Sequence, residues 1–113
     1  RPADFYSVGK LFGEQCGRLF ADRYGMSVLV VRIGAVLPSN TPTLVRELPG
    51  YLSQRDTASA LDKALSAPMT LKYDIFHAVS NNSRRWRDIE HTREVLGWSP
   101  QDSSDAFDPA TLA

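Results

Sequence analysis

Tyr6 and Lys10, in the run Tyr6-Ser7-Val8-Gly9-Lys10, stand at a spacing that could do redox chemistry on an alcohol. Residues four apart on a helix share one face, about 40° from each other. A phenol with a free pKa of about 10 is a poor base at neutral pH. A fixed ammonium beside it favours the phenolate. Such a tyrosine can take the hydroxyl proton of an alcohol as hydride leaves the same carbon. The spacing alone is weak evidence, because chance supplies such a pair in roughly one chain in ten of this composition. The plain alternative is a surface Tyr and Lys at the start of a helix.

The element that must position the pair is a helix over about 4–24, with Asp4 as N-cap and Gly25 as stop. Its periodicity divides it into three faces. Val8, Leu11, Phe12, Cys16, Leu19 and Phe20 make an apolar face. Glu14, Arg18 and Asp22 form a charge ladder. Gly9, Gly13, Gly17 and Ala21 make a small-residue stripe beside Tyr6 and Lys10. Glycine costs about 1 kcal/mol in a helix interior. The stripe therefore implies close approach of something, and the plain reading is tight helix or strand packing.

Residues 27–33 (SVLVVRI) read as a strand buried on both faces of a parallel sheet. Residues 34–50, with Pro38, Pro42 and Pro49, read as a loop of the kind that lines ligand sites beyond strand ends. Ser53 begins a second helix as N-cap, with acidic Asp56 three residues later. That helix runs to about Ser66, with Ala58, Leu61 and Leu65 as its apolar face. Residues 73–79 form a second strand and 88–96 a short helix stopped by Gly97, before a polar, irregular tail. The expectation is a single α/β unit over 1–113, in the order helix-strand-helix-strand-helix.

Composition narrows the classes. The 113 residues are 42% hydrophobic and 23% charged, ordinary for a soluble globular chain. The net charge is zero, so no long-range field favours nucleic acid or an anionic membrane. The lone Cys16 cannot form an internal disulfide and reads as a small buried hydrophobe. The longest apolar run, 28–31, is too short to span a bilayer, and no signal peptide is visible. The expected location is cytoplasmic. His77 and His91 with one Cys match no metal set. Arg84, Arg85 and Arg87 around Trp86 could contact phosphate or nucleic acid; the plainer reading is a helix-entry surface with Trp86 tucked inward.

The stretch from Tyr6 to Glu14 resembles the active-site helix of extended short-chain dehydrogenases and sugar epimerases. Val30-Val31-Arg32-Ile33-Gly34 resembles the strand that follows it in that family. The segments 51–56, 80–88 and 96–104, the last reading Leu-Gly-Trp-Ser-Pro-Gln-Asp-Ser-Ser, resemble uronate dehydrogenases. The resemblance covers nearly the whole chain, from about Arg1 to Phe107. It implies the C-terminal portion of a Rossmann-type fold and oxidation of C1 of a cyclic hexuronic acid with NAD, giving an aldaric acid lactone. Tyr6 would be the general base, and Lys10 would hold the nicotinamide ribose and tune Tyr6. Ile33 would lie where the backbone passes the nicotinamide. Arg46 would engage the sugar acid, as suits its planar fork.

Two departures bear on that implication. Ala35 stands where the family places a substrate-contacting Ser, which leaves the sugar open. The family's Gly-rich phosphate-binding turn, the acidic residue after it and the catalytic Ser precede the Tyr motif, and five residues cannot hold them. The chain alone is therefore expected to bind NAD weakly and to turn nothing over. Its strand at 28–31 should expose apolar surface unless a partner covers it, and an oligomer through the 4–24 helix is expected. Two rivals stay open: a fragment of a nucleotide-sugar epimerase or dehydratase, and a catalytically dead association module.

Overall fold

The computed structural model describes all 113 residues. Its helices and strands run α1 (Phe5–Tyr24), β1 (Val28–Ile33), α2 (Gln54–Leu65), β2 (Tyr73–Ala78) and α3 (Glu90–Leu96). Short 3-10 turns occupy Val45–Gly50, Ser104–Ala106 and Pro109–Thr111. β1 and β2 form a two-stranded parallel sheet. The chain divides into two compact units, Arg1–Val30 with Pro68–Ile75, and Val31–Ala67 with Phe76–Ala113.

The first unit is α1 and the opening of the sheet. Asp4 caps α1 by accepting the Ser7 N–H at 2.7 Å, and Gly25 closes it in the left-handed region at φ 65°. Val28 N–H donates to the Lys72 carbonyl, Ser27 Oγ to Leu71, and the Tyr73 hydroxyl to the Glu14 carbonyl. Of the glycine stripe, Gly17 alone is crowded. A Cβ there would stand 2.8 Å from Val28 Cγ1, whereas Gly9 and Gly13 face open space. Close packing thus accounts for Gly17 and not for the other two. The apolar face of α1 is largely uncovered, with Phe12 70% and Leu19 56% exposed, and Cys16 is half-buried.

The second unit holds the core: Leu52, Phe76, Val79, Ile89 and Trp98 are essentially inaccessible. Past the strand ends the sheet forks. Gly34 N–H still donates to the Ala78 carbonyl, but Ala35 pairs with Tyr51 in a parallel bridge, and Ser80 N–H reaches the Tyr51 carbonyl. The fork depends on Gly34, since a Cβ there would collide with the Gly50 carbonyl.

Several expectations need correction. The 34–50 segment is not all loop, because its last six residues coil into a 3-10 turn. β1 is half-buried along 28–32 and not buried on both faces, as two strands alone cannot sandwich it. In α2 the expected apolar face points outward: Leu61 is 46% and Leu65 87% exposed, while Asp56 and Ala60 are buried. The reason is Asp56. Ser53 caps the helix as expected, accepting the Asp56 N–H at 3.0 Å, but the Asp56 carboxylate does not return the bond. It accepts instead from Ser80 Oγ at 2.6 Å and from the backbone N–H of Gln101 and Asp102. A buried carboxylate must be satisfied, and these donors turn that face of α2 inward.

The same network anchors the tail, which is irregular apart from the 3-10 turns Ser104–Ala106 and Pro109–Thr111. Asp102 accepts from Ser53 Oγ at 2.6 Å and from Arg55 at 2.6 Å, and Trp98 donates its indole N–H to Ser59 Oγ at 2.9 Å. The Arg55 guanidinium and Ser53 hydroxyl hold the Asp102 carboxyl below the usual range. The last residue, Ala113, exchanges backbone hydrogen bonds with Thr43 and Val45. No helix is long and apolar enough to cross a membrane.

Candidate functional site

The capped first turn of α1 presents Tyr6, 73% exposed, and Lys10 one turn on. The Lys10 ammonium lies over the phenol ring, 5.3 Å from its centroid. Its cap is robust, because the N–H and hydroxyl of Ser7 hold the Asp4 carboxyl below its ordinary value and so keep it charged at neutral pH. The helix thus delivers the geometry that the spacing implies: a phenol and an ammonium in contact on an accessible face.

Ile33 and Arg46 belong to the second unit. Ile33 ends β1 and is 47% exposed, at the carboxyl end of a parallel strand, where ligands of open α/β sheets gather. Arg46 is exposed on the 3-10 turn Val45–Gly50. Its neighbour Glu47 turns back to accept the N–H groups of Thr43 and Leu44 at 2.9 and 3.1 Å, which holds its carboxyl below the usual range. That carboxylate fixes the start of the turn.

The structure adds two residues to this end of β1. Arg87 donates to the carbonyls of Ile33 at 3.2 Å and Arg32 at 3.4 Å. Partial burial pushes its pKa down, and the charge of Arg32 acts in the same direction. Trp86 is not tucked inward: it is 65% exposed, with the Arg87 guanidinium 4.6 Å from its ring centroid. The Arg-Arg-Trp-Arg run was the available signal, but sequence periodicity could not say which way the indole faces. Ala35 has both backbone polar groups engaged in the sheet fork, and its methyl offers no hydrogen bond. No cluster of three His, Cys, Asp or Glu could hold a metal.

No protein-family model matches the chain. Individual proteins do. Over 108 residues it is 35% identical to an NAD-dependent glucose-6-phosphate dehydrogenase of Haloferax volcanii, covering 95% of this chain and 40% of that protein. Over 107 residues it is 35% identical to a uronate dehydrogenase of Agrobacterium fabrum, covering 95% of this chain and 39% of the relative. The crystal structure of uronate dehydrogenase from Agrobacterium tumefaciens superposes with a TM-score of 0.87 at 33% identity, over 98% of this chain and 40% of that one. This chain is homologous to the C-terminal part of uronate dehydrogenases and related sugar dehydrogenases. It spans about 40% of the length of the uronate dehydrogenase relatives it matches.

Proposed function

We propose that residues 1–113 are the C-terminal catalytic and substrate-binding part of a Rossmann-type, NAD-dependent dehydrogenase that oxidises C1 of a hexuronic acid. The observation that carries this reading is the Lys10 ammonium over the Tyr6 ring, 5.3 Å from its centroid, on a capped and accessible helix. Homology to the uronate dehydrogenases supplies its context.

In this reading Tyr6 takes the C1 hydroxyl proton as general base. Lys10, with three donors, suits the ribose hydroxyls of a dinucleotide. NAD, when bound, would supply the hydride acceptor. Ile33 lines the nicotinamide side, and Arg46 engages the sugar carboxylate through its fork. The chemistry of these donors fits such a cofactor, whereas its phosphates need a Gly-rich turn that these residues do not contain. The chain by itself is accordingly taken to be inactive. We place it in the cytoplasm, in an oligomer formed through α1, whose uncovered apolar face supports association.

The test is NAD reduction by the full-length protein on glucuronate or galacturonate, with glucose 6-phosphate and UDP-sugars as comparators. Turnover on the free uronate, lowered at least about a hundredfold in kcat by Tyr6→Phe, is expected from loss of a general base. Exclusive activity on UDP-sugars would move the protein to the epimerase or dehydratase side of its family. Inactivity on every sugar would leave an association module.

A further inference from the structure

We propose that Trp86, held in place by Arg87, is a wall of the sugar site and selects for the apolar face of a pyranose ring. This rests on the reading above and extends it to residues outside the Tyr6, Lys10 and Arg46 set. The loop bearing Trp86 is anchored at both ends. Asn82 is buried, donates its amide to the Tyr51 carbonyl at 2.9 Å and accepts the Ser104 N–H at 2.8 Å, while Ile89 is wholly inaccessible. Between these anchors the indole stays 65% exposed, although an aromatic of that size gains most by burial. Its orientation is set rather than free, because Arg87 stacks on the ring at 4.6 Å and also grips the Ile33 carbonyl at the end of β1.

The indole sits against the turn that carries Arg46. Its Cζ2 is 3.7 Å from the position of a Cβ on Gly50, the last residue of that turn. Four residues of 3-10 helix at about 2.0 Å each separate Gly50 from Arg46 by roughly 8 Å. That is the scale of one pyranose ring with its carboxylate. A guanidinium for the acid and an aromatic face for the C–H face of the sugar divide the recognition of a hexuronate between charge and shape. Arg87 is then a positioning residue, acting through Trp86 and the Ile33 backbone.

Trp98 is 1% exposed, so the acrylamide-accessible fluorescence that Trp86→Phe removes reports Trp86. The experiment is acrylamide quenching of the full-length protein with and without sodium glucuronate, paired with steady-state kinetics of Trp86→Leu and Trp86→Phe. Glucuronate should protect Trp86. Trp86→Leu should raise KM for glucuronate about tenfold while kcat falls far less and KM for NAD holds, and Trp86→Phe should recover most of the loss. Wild-type oxidation of glucuronate, with no protection and a Trp86→Leu KM within about twofold of wild type, overturns the wall and leaves the dehydrogenase reading standing. If the wild type oxidises no uronate, that reading falls. Quenching then decides the wall alone: protection keeps Trp86 as a sugar contact, and no protection overturns it.

Discussion

The two units of the molecule differ in what holds them. In the first, which carries Tyr6 and Lys10, Ala21 is the one buried residue. In the second, aromatic and aliphatic side chains are buried, and so is Asp56, a carboxylate with three donors drawn from β2's exit and the tail. The first displays its chemistry on an accessible helix with an apolar face, and the second satisfies its own polar groups.

Substitutions can break or sharpen that contrast. The largest effect should come from Trp98→Ala, which leaves a cavity where a 1%-exposed indole was and removes its hydrogen bond to Ser59 Oγ. A loss of about 3–5 kcal/mol in denaturant unfolding is expected. Next is Asp102→Asn, which weakens the link from α2 to the tail. Its partner Arg55 is two-thirds exposed, so about 1 kcal/mol is expected. The pH dependence has a definite sign. Hydrogen bonds from Arg55 and Ser53 lower the Asp102 pKa below its ordinary 3.8, so its stabilisation is complete above that pH and is lost as pH falls through the lowered value. Acid unfolding of wild type and Asp102→Asn should therefore converge below pH 3.8. The smallest effect has the opposite sign. Gly13→Ala meets nothing within 4 Å and should stabilise α1 by about 0.5–1 kcal/mol, read as slower amide exchange along the helix.

What could be read from the sequence was local. The caps Asp4, Gly25, Ser53 and Gly97 act within one helical turn, and the structure places each where its residue type implies. The Tyr6–Lys10 contact is likewise a consequence of spacing on one helix. What could not be read depends on distant partners. Periodicity groups Ala58, Leu61 and Leu65 on one face of α2, but which face turns inward is decided by Ser80 and by residues 101 and 102, which hold Asp56 from afar. Trp86 was misplaced for the same reason, since its surroundings come from Gly50 and Arg87 and not from its own periodicity. The chemistry of the Tyr6–Lys10 pair was legible from its spacing, whereas the roles of Ile33 and Arg46 came from family resemblance.

The pairing of Ala113 with Thr43 and Val45 has a practical side. An affinity tag joined at Ala113 through an acidic linker would emerge beside the turn bearing Arg46, where the linker carboxylates could compete for that guanidinium. Tagged and cleaved preparations should therefore be compared before any substrate affinity is ascribed to the protein itself.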